Sequence, residues 1–346
     1  MNDLEPFRNQ PVRVLVVKLS SLGDIIHATG ALRAIRQALP LARIALAVES
    51  RWRDVVCHNP NVDVLIESSP QDRLSLSYLA EIRRSLADHG PYDIAVDLQG
   101  NRRSAAWVYL SRARFKMGRG RFRPGWRRAI EPDLTQHAVT VCADICRSIG
   151  IAVGAPSPEI HTDAHEEDRI GQTLAAEGLP SEGFILLNPF SRWPSKSWPL
   201  DNAAEVIRRL QAATPRPLVL SGGPEDRDLA AALQHRLGRC AVPSLVGRLS
   251  LGGALCLFRR GRLMVSCDSG PMHAAAAFGV PTIALFGPTY PERTGPWGPC
   301  HQVIQARRPP SHHTYRVDPD GSYMRLLGAD AIVDAVLYEL SKGESS

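Results

Sequence analysis

The sequence predicts an α/β protein of two domains, each built on a parallel sheet. Three observations carry this. Short apolar runs rich in Val, Ile and Leu alternate with stretches of helical periodicity in both halves, the pattern of buried parallel strands joined by crossover helices. Between the halves, Ala152-Val153-Gly154-Ala155-Pro156-Ser157-Pro158 has the composition of a linker. The length, 346 residues, suffices for two hydrophobic cores. The expected domains are residues 1–155 and 156–346.

In the first half, residues 12–17 form a Val-rich run suited to a buried strand. Lys18-Leu19-Ser20-Ser21-Leu22-Gly23 is turn chemistry. From Asp24 the apolar residues Ile25, Ala28, Leu32, Ile35 and Leu39 recur at helical spacing until Pro40 stops the helix. Residues 43–48 and 62–67 read as strands, 73–88 as a helix, 92–97 as a fourth strand and 136–149 as a closing helix. The second half repeats the logic. A helix over 166–177 precedes a strand over 184–187, a polar loop over 188–196, a helix over 201–213 and a strand over 217–221. After the turn Gly222-Gly223-Pro224 come helices over 225–237 and 251–259, then a strand over 263–267. A short helix over 273–278, a strand over 282–286 and a helix over 329–340 complete the chain. Two such domains place their ligands outside the carboxyl ends of the strands.

Hydrophobic residues make up 44% and charged residues 22% of the chain, which excludes a wholly disordered protein. Seven Cys is a low and odd number, so a disulfide scaffold is excluded and free thiols in a reducing compartment are expected. The longest stretch without Asp, Glu, Lys or Arg, residues 269–291, is broken by Gly270, Pro271, Gly279, Pro281, Gly287 and Pro288. It reads as loop, helix, strand and loop, not as a membrane span. Acidic Asp3 and Glu5 stand where a signal peptide would be basic, and Val14-Leu15-Val16-Val17 is too short for its apolar core, so no leader is expected.

The formal net charge is +6, and it is concentrated. Arg102, Arg103, Arg112, Arg114, Lys116, Arg119, Arg121, Arg123, Arg127 and Arg128 follow one another with no acid between them, and the rest of the chain is slightly acidic. Such a patch suits phosphate groups or an anionic membrane face. A solvated face of helices and loops is the plainer alternative.

Four stretches could carry chemistry, each at the end of an expected strand. Lys18-Leu-Ser-Ser-Leu-Gly-Asp24 leads into the first helix, whose N-terminus offers free N–H groups. Asp24 there is either a cap or a group held for chemistry. The stretch matches neither G-x-G-x-x-G nor the Walker A pattern. Asp268-Ser-Gly-Pro-Met-His273 could cradle an anion on the backbone N–H groups of Ser269 and Gly270, with Pro271 suited to a first helical turn. Alternatively it is a second capped helix with His273 in the core. Lys196, within Trp193-Pro-Ser-Lys-Ser-Trp-Pro199, is a cation in stiff surroundings and would suit a diphosphate. In Gly222-Gly-Pro-Glu-Asp226 a carboxylate could accept from a ribose, or serve the helix dipole. Cys142 and Cys146 lack a partner pair at zinc-ligand spacing and read as core or free thiols. His312-His313 reads as an exposed loop pair.

Together these stretches resemble a known family. Lys18-Leu-Ser-Ser-Leu-Gly-Asp-Ile-Ile-His27 is similar to the N-terminal signature of bacterial lipopolysaccharide heptosyltransferases, glycosyltransferase family 9. So is Cys267-Asp-Ser-Gly-Pro-Met-His-Ala-Ala-Ala-Ala-Phe-Gly-Val-Pro-Thr-Ile-Ala-Leu-Phe-Gly-Pro-Thr289, the more diagnostic stretch. Asn188-Pro189 with Trp193-Pro-Ser-Lys-Ser-Trp-Pro199 resembles the family's central loop. Order and spacing fit over positions 12–340. The first signature looks closer to the first-heptose enzymes, yet Ser191-Arg192 stands in place of that subgroup's consecutive threonines. Residues 307–323, with Pro309, Pro310 and Pro319, do not align.

The resemblance implies a GT-B architecture: two Rossmann-like domains facing across a cleft, with a C-terminal helix able to pack back on residues 1–155. It implies that residues 156–346 bind a nucleotide sugar, ADP-L-glycero-β-D-manno-heptose. Residues 1–155 would receive an anionic inner-core lipopolysaccharide precursor. The general-base role is carried to Asp24, with Ser20, Ser21 and Gly23 shaping the loop beside it. Diphosphate contacts are carried to Lys196 and to Asp268, Ser269, Gly270, Pro271 and His273, and a ribose or adenine contact to Glu225 or Asp226. Arg102, Arg103, Arg119, Arg121 and Arg123 would meet the acceptor or the membrane. No metal and no nucleic-acid partner are expected. The implied location is the cytoplasmic face of the inner membrane. The implied reaction is a single displacement with inversion, Asp24 taking the acceptor's proton and Lys196 with the Ser269–Gly270 N–H groups stabilising the leaving ADP.

Other classes share a two-domain design. A sugar-nucleotide epimerase or hydrolase would release sugar without transfer. A transferase could use another sugar or a protein acceptor, and a non-catalytic nucleotide-sugar binder would show no turnover. A nicotinamide dehydrogenase is disfavoured by the absence of G-x-G-x-x-G after the first strand. No recognised nucleic-acid motif accompanies the basic patch.

Overall fold

The structure, a computed structural model of the chain, describes residues 4–71, 73–120, 123–311, 314–316, 318 and 320–342. It divides into two units, Met1–His161 and Thr162–Ser346.

The first unit runs β1 (Arg13–Val17), α1 (Leu22–Ala38), β2 (Arg43–Glu49), β3 (Val64–Ser68), α2 (Leu76–His89), β4 (Ile94–Asp97), α3 (Arg102–Leu110), β5 (Phe115–Arg119), β6 (Arg128–Ile130) and α4 (Ala138–Ser148). Every strand pair is parallel, in the order β3-β2-β1-β4-β5-β6. Val14, Leu15, Val16 and Val17 are all buried, as expected of a central strand covered on both faces. Leu15 and Val17 share a cluster with Tyr78 and Ile82 of α2 and Trp107 and Val108 of α3. The buried Trp107 indole N–H is satisfied by the Tyr78 hydroxyl at 3.1 Å. The chain progresses outward from β1 to one side and from β4 to the other, so the topological switch point lies between these two strands.

The boundary falls six residues later than the linker composition suggests, because residues 157–159 are tied to the first unit. Glu159 N donates to Thr29 Oγ1 (2.8 Å), the Glu159 carboxylate pairs with Arg33, and Arg33 also reaches Ser157 O (3.1 Å). Gly30 makes this approach possible: a Cβ there would stand 2.8 Å from Ser157 O.

The second unit runs α5 (Ala164–Ala176), β7 (Ile185–Asn188), α6 (Leu200–Ala213), β8 (Leu218–Leu220), α7 (Arg227–Leu237), α8 (Leu251–Arg259), β9 (Leu263–Cys267), α9 (Gly270–Ala277) and β10 (Thr282–Phe286). Then follow α10 (Pro291–Thr294), β11 (Gln302–Gln305), α11 (Ser322–Arg325) and α12 (Ala329–Ser341). Its parallel sheet has the order β11-β10-β9-β7-β8, which puts the switch point between β7 and β9. Ile332, Val333, Val336 and Leu340 of α12 share a cluster with Ala203, Ile207 and Leu210 of α6 and with Leu263 and Val265. The resemblance allowed this helix to pack on residues 1–155. Its apolar stripe is buried within the second unit.

Several elements differ from the sequence reading. Helix α9 begins three residues early, because Pro271 fits its first turn after the extended Ser269. Helix α7 begins late, after a 3₁₀ turn over Pro224–Asp226. Elements α3, β5 and β6 are short and lie in the arginine-rich stretch, where charges break the apolar runs of β5 and β6 and open α3. Strand β11 reads Gln-Val-Ile-Gln, and as an edge strand its side chains are only partly covered.

Gly118 of β5 lies opposite Asp97 with a φ of +124°, and a Cβ there would stand 2.3 Å from Asp97 O. Replacing it meets both backbone strain and a collision with β4. The variant Gly118→Ala should lose at least about 2 kcal/mol in denaturant unfolding; wild-type stability would contradict this packing.

Candidate active site

In the first unit the chain leaves β1 into the loop that carries Asp24. Lys18 is buried and its ammonium lies 3.4 Å from Leu98 O. Ser20 N donates to Gln99 Oε1 at 3.3 Å. The loops after β1 and β4, neighbours at the switch point, are thereby stitched together. Ser21 is the cap residue of α1, and both its backbone N and its Oγ donate to Asp24 Oδ2, at 3.1 and 2.7 Å. Gly23 is buried in the first turn. Asp24 is therefore a capping-box residue, half-buried at the positive end of a helix. Capping fixes the orientation of this carboxylate and leaves a chemical role open to it.

Two fully buried carboxylates that the sequence did not single out organise the surroundings. At the end of β4, Asp97 Oδ1 accepts from Gln99 N and Gly100 N, both at 2.8 Å, and Oδ2 accepts from Ser104 Oγ at 2.9 Å. It thus shapes the loop that holds Ser20. Burial pushes its pKa up to about 6, against the pull of these hydrogen bonds and of Arg123. At the end of β2, Glu49 accepts from Arg51 (2.6 Å) and Arg103 (2.7 Å).

That second contact corrects a sequence expectation. Arg103 was grouped with an outward-facing patch, but its side chain is only 16% exposed. Its guanidinium holds Glu49 and Gln71 O and reaches Ser20 Oγ at 3.5 Å. A buried carboxylate has to be paired, and that requirement draws Arg103 inward. Arg102 is exposed, while Arg119 and Arg123 are half-buried, Arg123 over the Trp126 ring at 5.7 Å. Arg121 and the His312-His313 pair lie outside the described residues.

In the second unit three strand ends converge. Asn188 Nδ2 donates to Ser221 O at 2.9 Å, and Ser269 Oγ lies 3.3 Å from Asn188 Oδ1. Asp268, at the end of β9, accepts from Lys196 Nζ at 2.7 Å and from Thr289 Oγ1 at 2.8 Å. Burial works to raise the Asp268 carboxyl, but the Lys196 ammonium, His273 and these two hydrogen bonds outweigh it and hold it below the ordinary carboxylate value. Beside this pair, Ser269, Gly270 and Pro271 form the N-terminus of α9, with His273 buried one turn in. Asp226 Oδ2 accepts from Gly223 N at 2.8 Å, and its pKa is raised by burial and by the neighbouring Glu225. Glu225 itself is exposed.

The sequence missed two residues here. Thr289 closes the more diagnostic stretch, just after β10, and a hydroxyl at a strand's carboxyl end was the available signal. Tyr315 has no such signal, because it lies in residues 307–323, where no signature stretch was read. Its ring stands 5.0 Å from Lys196 Nζ and its carbonyl accepts from Ser195 Oγ at 2.6 Å.

Cys142 and Cys146 are free, buried thiols, and burial raises both. Among the described residues no three His, Cys, Asp or Glu side chains converge to hold a metal ion, and no helix is long and apolar enough to cross a membrane.

The family description "Glycosyltransferase family 9 (heptosyltransferase)" matches residues 79–324. The chain belongs to glycosyltransferase family 9. Lipopolysaccharide heptosyltransferase 1 of Pseudomonas aeruginosa is 30% identical to this family 9 enzyme over 305 residues, covering 83% of this chain and 82% of the relative. The solved family 9 glycosyltransferase from Veillonella parvula has a TM-score of 0.86 at 26% identity, covering 96% of this chain and 98% of that one. E. coli heptosyltransferase WaaC, solved with ADP, has a TM-score of 0.72 at 24% identity, covering 94% of this chain and 99% of that one. That last likeness is one of fold. The sequence expectation of a glycosyltransferase with two Rossmann-like, parallel-sheet domains holds.

Asp97 gives a pH test of the loop geometry. Its folded pKa lies above the ordinary value, so the fold favours the protonated form. That contribution is complete below about pH 4 and is lost as the pH rises through about 6. Stability of Asp97→Asn relative to wild type should therefore rise by about 2–3 kcal/mol between pH 4 and pH 7. Parallel pH profiles for the two proteins would contradict it.

Proposed function

We propose that this enzyme transfers L-glycero-D-manno-heptose from ADP-heptose to an inner-core lipopolysaccharide acceptor, with inversion at the anomeric carbon. What carries the reading is where the family's signature stretches fold. All three become strand-end loops at a switch point: the first presents Asp24, the central loop presents Lys196, and the third forms the N-terminus of α9 beside it. Family membership and the ADP bound by the E. coli neighbour support the donor.

In this reading Asp24 is the general base. An acceptor hydroxyl is far too weak an acid to ionise near neutral pH, so its proton must be taken as the new bond forms. Ser21 holds one edge of the carboxylate, which fixes its direction of attack on that proton. As the anomeric carbon–oxygen bond breaks, charge develops on the diphosphate. The N–H groups at Ser269 and Gly270 take it up, and the Lys196 ammonium donates to a phosphate oxygen while staying paired with Asp268. Protein groups supply this stabilisation, and the proposal includes no metal ion. Since Asp226 is committed to Gly223 N and Glu225 is exposed, the ribose contact is assigned to Glu225.

The acceptor is anionic, and the exposed Arg102, Arg112 and Arg114 offer it and the cytoplasmic membrane face a basic surface. Each such arginine contributes about 1 kcal/mol near an anionic bilayer. Binding to anionic vesicles should fall with added salt and with the triple change Arg102→Ala, Arg112→Ala and Arg114→Ala; insensitivity to both would remove the membrane contact.

The transfer itself is tested by ADP release from ADP-heptose, with and without a Kdo-bearing lipid A acceptor. Release should require the acceptor, and Asp24→Asn should slow it by about 10²–10⁴-fold. Acceptor-dependent release at the wild-type rate in Asp24→Asn would sink the base assignment. Free heptose released without acceptor would favour a hydrolase.

A further inference from the structure

A diphosphate that leaves with its full charge needs more than one neutralising group, and the Lys196 ammonium is already matched. Asp268 is ionised, only 6% exposed and 2.7 Å from Lys196 Nζ. The pair is neutral as a unit, so Lys196 orients a phosphate oxygen without adding net positive charge. The N-terminus of α9 contributes about half a charge.

The stretch over residues 307–323 supplies another cation. The 3₁₀ turn Thr314–Arg316 packs on the 3₁₀ turn Pro194–Lys196 through Ser195 Oγ, which donates to Tyr315 O at 2.6 Å. The Trp193 ring meets the Tyr315 ring edge to face, centroids 5.0 Å apart. Tyr315 then carries two cations. Lys196 Nζ lies 5.0 Å and the Arg316 guanidinium carbon 5.4 Å from its ring centroid, so the two charges are no more than about 10 Å apart. Arg316 Nε donates to the Tyr315 hydroxyl at 3.0 Å. Among the described residues Arg316 pairs with no carboxylate, and it is exposed. Arg308, from the same segment, is paired with Glu292.

We propose that Arg316 binds the diphosphate of the nucleoside-diphosphate sugar as its second cation, and that Tyr315 positions it beside Lys196. This deepens the proposed function and rests on its donor assignment. A guanidinium suits the task because its fork can meet two phosphate oxygens at once. Its anchoring through the Tyr315 hydroxyl and ring reduces the ordering cost on binding.

The test is calorimetric binding of ADP and of adenosine to the full chain. Wild type is compared with Arg316→Ala, Arg316→Lys, Tyr315→Phe and the double variant Tyr315→Phe/Arg316→Ala. Arg316→Ala should weaken ADP binding roughly tenfold, the loss of one charge-assisted hydrogen bond, and leave adenosine binding unchanged. Arg316→Lys should recover part of the loss. Tyr315→Phe keeps the ring under Lys196 and removes the hydroxyl anchor. It should weaken ADP binding less than Arg316→Ala does, and cost nothing further in the double variant. ADP affinity within about twofold of wild type in Arg316→Ala overturns the inference, and so does an equal loss for adenosine, which would mark general damage. If wild type binds ADP and the variants match it, only Arg316 is dismissed. If wild type does not bind ADP, the donor assignment falls as well.

Discussion

Asp268 carries its charge at the end of β9 with almost no exposure, and the loops of the second unit are arranged around it. A carboxylate withdrawn from water must be matched by an opposite charge and by hydrogen bonds. Lys196 supplies the charge and Thr289 a hydroxyl, which brings the turn after β7 and the loop after β10 to the same strand end. The first unit meets the same constraint twice. Asp97 folds the loop after β4 around its two oxygens, and Glu49 draws Arg103 inward. In each case the buried acid ends a strand and the groups that satisfy it are loop or first-turn residues. That is how strands built mostly of apolar residues fix polar loops at the rim of their sheet.

The consequence for chemistry is preorganisation. Removing one partner from a buried pair typically costs about 3–5 kcal/mol, so these loops do not wander from their strand ends. Asp24 is held by a different device, the reciprocal capping of α1 by Ser21, which uses no buried charge. Asp24 thus stands on a helix end whose position is set by the packing of α1, a helix whose residues from Gly23 to Leu32 are all buried apart from Asp24. Both arrangements lie at the switch points of their sheets, between β1 and β4 and between β7 and β9.

Much of this was legible in the sequence. Buried parallel strands are continuous apolar runs, and Val14 to Val17 or Leu263 to Cys267 announce themselves. The turn chemistry after them located Asp24, Lys196 and Asp268 because strand ends are where α/β folds keep their ligands. Charge patterning read less well. Ten basic residues in succession suggested one outward surface, whereas Arg103 pairs with a carboxylate from a strand 54 residues earlier in the chain. Nothing local signals such a partner. Strand β5 carries Lys116 and Arg119 between its apolar residues, and helix α3 opens on Arg102 and Arg103, so neither shows a long apolar pattern. Tyr315 gains its place through contacts with residues some 120 positions away, and Arg316 through Tyr315, which no periodicity can show.

The proposed function divides the labour, with the nucleotide held by the second unit's strand-end loops and the base offered by the first. Hydrogen–deuterium exchange with and without ADP separates the two roles. ADP should slow exchange over residues 190–197 and 268–272 and leave residues 18–25 unchanged. Protection of residues 18–25 by ADP, with none over the second unit's loops, would contradict it.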